Sequence, residues 1–204
     1  MRMKTIGIGA TAISAVAVVA IAGAAVTPIP PGQYGEGCAQ INGVALQGDG
    51  ANDVMTGTPQ NDALRGGGGN DTLNGLAGDD CLFGESGNDT FNGGLDDDLI
   101  VGGGGNDRGR AGGGLDKVRG GSGKDDFGGG PKADNMKGGG GKDKVKGGAG
   151  DDRLFGGRGN DRLRAARDRG RDAGADRLDC GPGRDTAFVG PSDTFKNCEI
   201  IRRR

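Results

Sequence analysis

The sequence predicts an all-β protein, a parallel β-roll in which the chain winds as a solenoid between two short parallel sheets. Two features of the composition and one of the pattern bear on this prediction. Of 204 residues, 49 are Gly and 7 are Pro, and the aromatic residues are six Phe, one Tyr and no Trp. This composition alone would indicate a disordered, glycine-rich chain. A nine-residue period runs through more than half of the sequence, however, and such a period indicates a folded repeat.

Residues 1–25 have the pattern of a signal peptide. Arg2 and Lys4 precede an apolar stretch from Ile6 to Val26, and the small residues 22–24 supply a cleavage motif. An uncleaved membrane anchor is the alternative, because about 21 apolar residues could span a bilayer. Either arrangement places the rest of the chain outside the cytoplasm. No second apolar run of that length follows, so we expect a secreted mature chain without integral membrane contact, starting with a cap or linker at residues 26–47.

Residues 48–164 divide into thirteen nonapeptides without an insertion. The sixth position is Asp in all thirteen, the eighth is apolar in all but one, and the first is Gly in all but one. Glycines at positions 1, 2 and 4 permit positive φ, and positions 7 to 9 form a short extended piece whose middle side chain points inward. Two nonapeptides wound into each coil, with coils about 4.8 Å apart, place the apolar residues in two facing columns between parallel sheets.

Gly109 is the exception at the eighth position, and it leaves a gap in one apolar column. Two interpretations are open. The coil is locally weak, or the gap serves as a hinge or as a groove for a partner.

The nonapeptides resemble a known family. The segments Gly66-Gly67-Gly68-Gly69-Asn70-Asp71-Thr72-Leu73-Asn74 and Gly156-Gly157-Arg158-Gly159-Asn160-Asp161-Arg162-Leu163-Arg164 are similar to the hemolysin-type, or RTX, calcium-binding repeat. In that family, calcium lies between the turns of successive coils on one edge, held by the repeat's Asp and by turn carbonyls. The segment from Asp179 to Thr186 resembles the closing segment of secreted members.

The resemblance implies several bound Ca²⁺ ions, with the position-6 aspartates as carboxylate ligands. The expected ligands are Asp53, Asp62, Asp71, Asp80, Asp89, Asp98, Asp107, Asp152 and Asp161. Hard-cation chemistry agrees, because carboxylate and carbonyl oxygens without imidazole suit calcium better than softer metals. The ion-free alternative is that each Asp only caps its turn by accepting hydrogen bonds from backbone amides.

The middle repeats depart from the consensus. Lys124 and Lys142 occupy position 5, on the same edge, and Lys132 replaces a position-4 glycine. A cation beside a calcium site lowers its affinity, so Asp125, Asp134 and Asp143 are doubtful ligands. We expect these lysines to form surface ion pairs with the columns of aspartates and to replace calcium electrostatically.

The nine-residue frame breaks after Arg164, and residues 165–204 are expected to close the solenoid. Residues 165–175 suggest a loop, with a short helix as the alternative. Four Cys in an exported chain indicate disulfides. Cys180 and Cys198 are separated by two nonapeptides, one coil's length, so the spacing favours Cys180–Cys198 with Cys38–Cys81 among the three possible pairings.

Charge and composition narrow the function. Residues 48–110 carry 12 acidic and 3 basic side chains, which suggests cations as partners, whereas the later repeats are basic. Because there is no His and because carboxylates recur at solenoid spacing, we expect no enzyme. Without interleaved aromatics we also expect no nucleic-acid binding. The prediction is a secreted calcium-binding β-roll without a catalytic domain. The alternative is an extracellular structural or adhesive protein that uses the roll as a scaffold for a partner or wall polymer.

Overall fold

The computed structural model describes residue 38, residues 40–166 and residues 174–203, together with the backbone of residues 27–28. The predicted signal peptide and most of segment 165–175 lie outside these residues. In the described part of the chain, no helix is long and apolar enough to cross a membrane. The described residues form two sheets and no helix.

Successive strands alternate between the two sheets. The ten-stranded sheet contains, in spatial order, β1 (Thr27–Pro28), β2 (Ala45–Gln47), β4 (Ala63–Gly68), β6 (Cys81–Ser86), β8 (Leu99–Gly104), β10 (Lys117–Ser122), β12 (Asn135–Gly141), β14 (Arg153–Gly159), β16 (Arg177–Asp179) and β18 (Thr194–Lys196). The nine-stranded sheet contains β3 (Val54–Thr56), β5 (Thr72–Ala77), β7 (Thr90–Leu95), β9 (Arg108–Gly113), β11 (Asp126–Pro131), β13 (Lys144–Ala149), β15 (Arg162–Ala166), β17 (Thr186–Val189) and β19 (Ile200–Arg203).

The register follows the sequence period. Leu64 pairs with Leu82 and Leu82 with Ile100, so parallel neighbours are two nonapeptides apart along the chain. Apart from the antiparallel β1–β2 pair, the described strand pairs are parallel. This confirms the predicted parallel β-roll. The strands are longer than the extended piece predicted at positions 7 to 9, because they continue through positions 1 to 3 of the following repeat.

The position-8 side chains form the core between the sheets, in one column per sheet. They are at most 3% exposed along the repeats, and the small residues Ala111 and Ala165 at position 1 fill the space beside them. A roll of this kind therefore needs only one large apolar residue per repeat, which explains a stable core with so few aromatics.

The gap at Gly109 is filled by its neighbours. Phe91 and Phe127 lie in the coils on either side, and their ring centroids are 6.0 Å apart. A Cβ atom at Gly109 would lie 2.8 Å from Phe91 Cβ and 3.0 Å from Phe127 Cε1. The glycine thus accommodates two large rings, and no space is left for the partner groove that the sequence left open.

Positive φ occurs at positions 2 and 4 of the repeats and not at position 1. Within the repeats, the residues other than glycine that adopt it, at the cost usual for L-residues, are Leu76 at 90°, Glu85 at 73°, Asp96 at 72° and Lys132 at 74°. The position-1 glycine has a different role, which concerns the space around the aspartate of the same repeat.

The winding continues beyond Arg164. Arg153 pairs in register with Arg177, so this coil is longer than the two-nonapeptide coils before it, and the chain then resumes its course. Disulfides join Cys180 to Cys198 and Cys38 to Cys81, with Cα–Cα distances of 5.2 and 6.0 Å. This is the pairing that the spacing favours. One bridge links neighbouring coils at the C-terminal end, and the other ties residue 38 to β6.

Candidate metal centres in the turns

The position-6 aspartate is held in place by its own backbone. Its carbonyl oxygen accepts a hydrogen bond from the position-7 amide of the next coil, as from Thr90 N to Asp71 O at 2.8 Å. The side chain begins where the turn ends and the strand starts, and it points inward. The repeat aspartates from Asp53 to Asp161 are at most 3% exposed.

One carboxylate oxygen of each aspartate caps the turn of the preceding coil. The Asp71 amide donates to Asp89 Oδ1 at 2.8 Å, and the Asp89 amide donates to Asp107 Oδ1 at 2.8 Å. The same bond recurs along the other edge, where the Asp80 amide donates to Asp98 Oδ1 at 2.9 Å. The amide-capping role weighed in the sequence is therefore present, but it uses only one of the two oxygens.

In many of these aspartates the second carboxylate oxygen, Oδ2, is buried and accepts no hydrogen bond from the described residues. They are Asp71, Asp80, Asp89, Asp98, Asp107, Asp116, Asp125, Asp134, Asp143, Asp161 and Asp185. A buried polar atom without a partner costs about 1–3 kcal/mol, and more when it is charged. A column of such atoms indicates a ligand that the polypeptide does not supply.

The position-1 glycine opens the space that this oxygen faces. A Cβ atom at Gly66 would collide with Asp71 Oδ2 and would lie 2.8 Å from the carbonyl oxygen of Gly84, in the next coil. At Gly129 the same atom would collide with Asp134 Oδ2 and would lie 2.7 Å from Gly147 O. A carboxylate oxygen and a carbonyl oxygen from successive coils thus converge beside each of these glycines.

This donor set fits calcium. Within the described residues, no three Asp, Glu, Cys or His side chains are close enough to hold a metal among themselves. Any ion would therefore take one or two carboxylates and complete its shell with backbone carbonyls, a mixture that calcium accepts. Glycine-rich turns suit it because their carbonyls are not shielded by side chains.

Burial without a counterion raises the pKa of these carboxyl groups. Desolvation, followed by the nearby charges of Asp80, Asp116 and Asp79, raises the pKa of Asp98 to about 8. Desolvation also raises the pKa of Asp80 to about 7, with contributions from Asp62, Asp79 and Asp96. In the absence of a cation, these groups are therefore poorly suited to carry a negative charge at neutral pH.

Position 5 forms a second ladder on the outside of the turns. Asn70 Oδ1 accepts from the Asn88 amide, and Asn88 Oδ1 accepts from the Asn106 amide, both at 2.7 Å. The Lys124 amide completes the series on Asn106 Oδ1 at 2.8 Å. Lys124 and Lys142 have no side-chain oxygen with which to continue it, so the ladder stops where the lysines begin.

The structure places the predicted ligands in unequal surroundings. Asp62 is the least suited, because its carboxylate already accepts hydrogen bonds from the amides of Val44 and Thr58 and from the Thr58 hydroxyl. Asp53 accepts from the Asp49 amide at 3.2 Å, at the N-terminal end of the column. The remaining predicted residues share the common geometry and line up along two edges: Asp71, Asp80, Asp89, Asp98, Asp107, Asp152 and Asp161.

Two aspartates that sequence reasoning left out share the capping bond and the buried Oδ2, but the residue five positions before each is Ala111 or Cys180 and not glycine. Asp116 lies in frame and has the same buried, partner-free Oδ2 as its neighbours among the described residues. Asp185 lies beyond the frame break, and its Oδ1 accepts from the Asp161 amide at 2.6 Å. The nine-residue spacing of Asp176 and Asp185 was the signal that the amide-capping pattern resumes past the insertion.

Within the described residues, no ion pair joins Lys124, Lys132 or Lys142 to a repeat aspartate, although the charge of Lys132 opposes the rise that burial causes in the pKa of Asp116. In the described part of the chain, the ion pairs of this stretch join Lys144 and Lys146 to Asp126, at 3.1 and 2.9 Å. Asp126 occupies position 7, on the outer face, whereas Lys124 and Lys142 are exposed at position 5. Burial separates the two groups, because the repeat aspartates are buried and the lysines are exposed.

Comparison with known proteins agrees with this geometry. A family model described as the RTX calcium-binding nonapeptide repeat matches four times, at residues 47–82, 77–109, 101–131 and 128–163. The matches together cover more than half of the chain. No curated protein matches it.

Proposed function

Because the chain belongs to the RTX calcium-binding nonapeptide-repeat family, we propose that it is a secreted protein whose β-roll folds when calcium occupies its turns. RTX nonapeptide repeats bind calcium, so Ca²⁺ is the cofactor expected in general. The coupling of calcium to folding, the export of the chain, the absence of a catalytic domain and the residues that hold each ion belong to the proposal.

The observation that carries the proposal is the recurring carboxylate oxygen without a partner. In coil after coil, Oδ2 of the repeat aspartate is buried next to a carbonyl oxygen, and no hydrogen-bond donor of the described chain reaches it. A divalent cation supplies positive charge and oxygen coordination at that place. Without it the folded state must protonate the carboxyl groups or bury their charge, and both alternatives weaken the fold at neutral pH.

Calcium binding then contributes directly to folding. An unfolded, glycine-rich chain does not hold the carboxylate and the carbonyl from successive coils together, so the site exists only when the coils are stacked. A ligand that binds the folded state alone stabilises it by mass action. The chain would remain expanded where calcium is scarce and would fold where calcium is abundant, as it is outside the cell.

The residues proposed as ligands share the buried Oδ2 and the neighbouring carbonyl. On one edge they are Asp71, Asp89, Asp107 and Asp161, and on the other Asp80, Asp98 and Asp152. Asp53 and Asp62 lie at the N-terminal end and are weaker candidates. Asp125, Asp134 and Asp143 have the same geometry but lie in the lysine-rich repeats, so we propose weaker sites there.

Secretion is supported by features at the two ends of the roll. The basic and apolar pattern of residues 1–25 supports export, and two disulfides are typical of an oxidising compartment. A non-catalytic role is supported by the uniform use of carboxylates, which recur at coil spacing along two edges instead of converging on one cleft.

The test is a calcium titration of the mature chain at neutral pH, followed by far-ultraviolet circular dichroism and by the hydrodynamic radius. We expect a compact β-rich state with calcium and an expanded chain in excess chelator. Magnesium at the same concentration is the control, and it should restore little structure because it requires a small octahedral shell. A complete β signal in excess chelator would overturn calcium-coupled folding.

A further inference from the structure

The outer face of the nine-stranded sheet changes character along the solenoid. In β5 and β7 its outward side chains at positions 7 and 9 are Thr and Asn, and Asn92 Nδ2 donates to Asn74 Oδ1 at 2.8 Å. From β9 to β15, the same positions hold six cations and one carboxylate. We call these six cations the basic face: Arg108, Arg110, Lys144, Lys146, Arg162 and Arg164.

The fold brings these like charges into direct register. Lys144 pairs with Arg162 and Lys146 pairs with Arg164 on neighbouring strands. Like charges directly opposite each other destabilise a sheet. Asp126 is the one carboxylate among these positions, and both lysines already share it. Positive charge therefore exceeds negative charge on this part of the sheet.

The two arginines at the C-terminal end of the basic face lie next to an aromatic ring. The guanidinium groups of Arg162 and Arg164 lie 5.4 and 5.2 Å from the ring centroid of Phe188. An arginine stacked on a ring keeps its N–H donors in the guanidinium plane, where they match the two oxygens of a carboxylate or sulfate. The surface thus favours negatively charged groups that present two oxygens side by side, such as carboxylate and sulfate.

The face also lacks the features that other polyanions require. Its outward positions carry no aliphatic side chain to enter a lipid surface, and the one ring beside it, Phe188, is half-buried next to the two arginines, which leaves little of it for stacking with a nucleic-acid base. What remains is three pairs of cations, on β9, β13 and β15, with the cation-free strand β11 between the first pair and the second; neighbouring strands are about 4.8 Å apart. We propose that the basic face binds a linear acidic polysaccharide, which lies along the solenoid axis with its carboxylate or sulfate groups against the cation pairs of β9, β13 and β15.

This proposal goes beyond calcium binding and needs only a folded roll. The polysaccharide would contact the flat face, whereas the ions would lie at the turns, so the two sites are separate. Calcium contributes by holding the coils in register, and that register is what aligns the cations.

The experiment measures binding of chondroitin sulfate to the mature chain by calorimetry in saturating calcium, with neutral dextran as the uncharged control. We expect binding to chondroitin sulfate alone, weakening as salt rises. The double variant Arg110→Gln, Lys146→Gln should raise the Kd roughly tenfold and lower the salt slope by about two, one for each cation removed. Asp126→Asn should lower the Kd, because it releases Lys144 and Lys146 from their shared partner.

The matched control is the double variant Arg119→Gln, Lys137→Gln, which removes the same charge from the outer face of the ten-stranded sheet, where these two residues pair in register. It should bind almost as well as the wild type. An equal loss in both double variants, no binding to chondroitin sulfate, or tighter binding to duplex DNA or phosphatidylserine vesicles would overturn the proposal. Circular dichroism of each variant separates lost binding from lost folding. A chain that folds in chelator would contradict the proposed function and still leave this test valid.

Discussion

The early repeats, residues 48–110, and the late repeats, residues 111–164, share their buried plan and differ in their exposed side chains. In both regions a backbone amide of the preceding coil donates a hydrogen bond to Oδ1 of the repeat aspartate, at 2.7 Å for Asp71 and 2.9 Å for Asp143. Apart from the buried repeat aspartates, the early repeats carry 5 acidic and 3 basic residues and the late repeats 2 acidic and 12 basic residues, so the surfaces are of opposite sign. Positions 1, 2, 4, 6 and 8 therefore specify the fold, and positions 5, 7 and 9 are left to determine what each region binds.

The largest expected effect tests whether the two regions share one core. Phe127→Ala removes a buried ring that packs on Phe91 across Gly109, at the junction of the regions. We expect a loss of about 3–5 kcal/mol in the free energy of unfolding, because the coil cannot collapse onto a glycine. Denaturant unfolding of the variant and of the wild type in saturating calcium measures this difference in the free energy of unfolding.

The control for that variant is Phe155→Ala, which removes a ring that is 38% exposed on the outer face. Phe155→Ala should lower the free energy of unfolding much less than Phe127→Ala does. If both substitutions cost the same, or if the chain unfolds in two separate transitions, the early and late repeats do not form one continuous core.

The second prediction compares one aspartate from each region. Asp71 and Asp143 lie on the same edge, and burial raises the pKa of each to about 6. They differ at position 5, which is Asn70 in one and Lys142 in the other. Asp71→Asn should remove one bound calcium, and at a calcium concentration of about 100 Kd this lowers stability by about 2.7 kcal/mol. Asp143→Asn should cost less, because Lys142 already weakens that site.

Calcium counting by native mass spectrometry and calcium-dependent unfolding test this pair. Lys142→Asn is the complementary variant, and it should raise the calcium affinity of the late repeats because it removes a cation and restores the position-5 amide. Equal losses from Asp71→Asn and Asp143→Asn would show that the regions bind calcium alike, despite their different surfaces.

The third prediction concerns pH and is strongest in the early repeats. Asp98, with a pKa raised to about 8 by burial and by Asp80, Asp116 and Asp79, binds more protons in the folded chain than in the unfolded one. Protonation of Asp98 therefore stabilises the calcium-free fold. This stabilisation is complete below about pH 4, the pKa of an unfolded aspartate, and is lost as the pH rises toward 8. Acidification from pH 8 to pH 5 in chelator should increase the β signal.

With calcium present the trend should reverse, because protons compete with the metal for the carboxylates. Asp98→Asn should reduce the pH dependence in chelator, and the remainder should come from the other repeat aspartates whose pKa is raised by burial, such as Asp80. Asp126→Asn is the control. Burial alone would raise the pKa of Asp126, but hydrogen bonds from Lys146 and Lys144 outweigh burial, so its pKa is lowered. Asp126 therefore does not titrate between pH 5 and pH 8. A chelated chain that is equally folded at both pH values would contradict the buried-charge argument.

The nine-residue period accounts for most of what the sequence predicts about the fold. The features that the sequence does not predict depend on contacts and directions that the period does not contain. The two sheets, the two apolar columns and the buried aspartates follow from positions that recur in every nonapeptide. The filling of the Gly109 position could not be predicted, because it depends on two phenylalanines that lie one coil to either side of it and meet only in the stack. The ion pairs expected between Lys124 or Lys142 and the repeat aspartates are also absent from the described residues, since the repeat frame gives spacing along the chain but not the direction in which each turn side chain points. Asp185 was not among the expected ligands, because an insertion interrupts the frame while the winding of the chain continues.

The smallest effect concerns the backbone of the early repeats, where position 2 departs from glycine. Leu76 adopts φ 90° there, with its side chain 40% exposed, so it strains the turn without adding much to the core. The late repeats have glycine at that position throughout residues 111–164. Leu76→Gly should therefore raise the free energy of unfolding by about 1 kcal/mol in saturating calcium, relief of strain exceeding the greater entropy of the unfolded chain. Leu115→Gly is the matched control, because Leu115 is 51% exposed but is not among the residues with positive φ, and it should be neutral or destabilising. If the two variants change stability alike, exposure of the leucine rather than its backbone conformation is what distinguishes the early turns from the late ones.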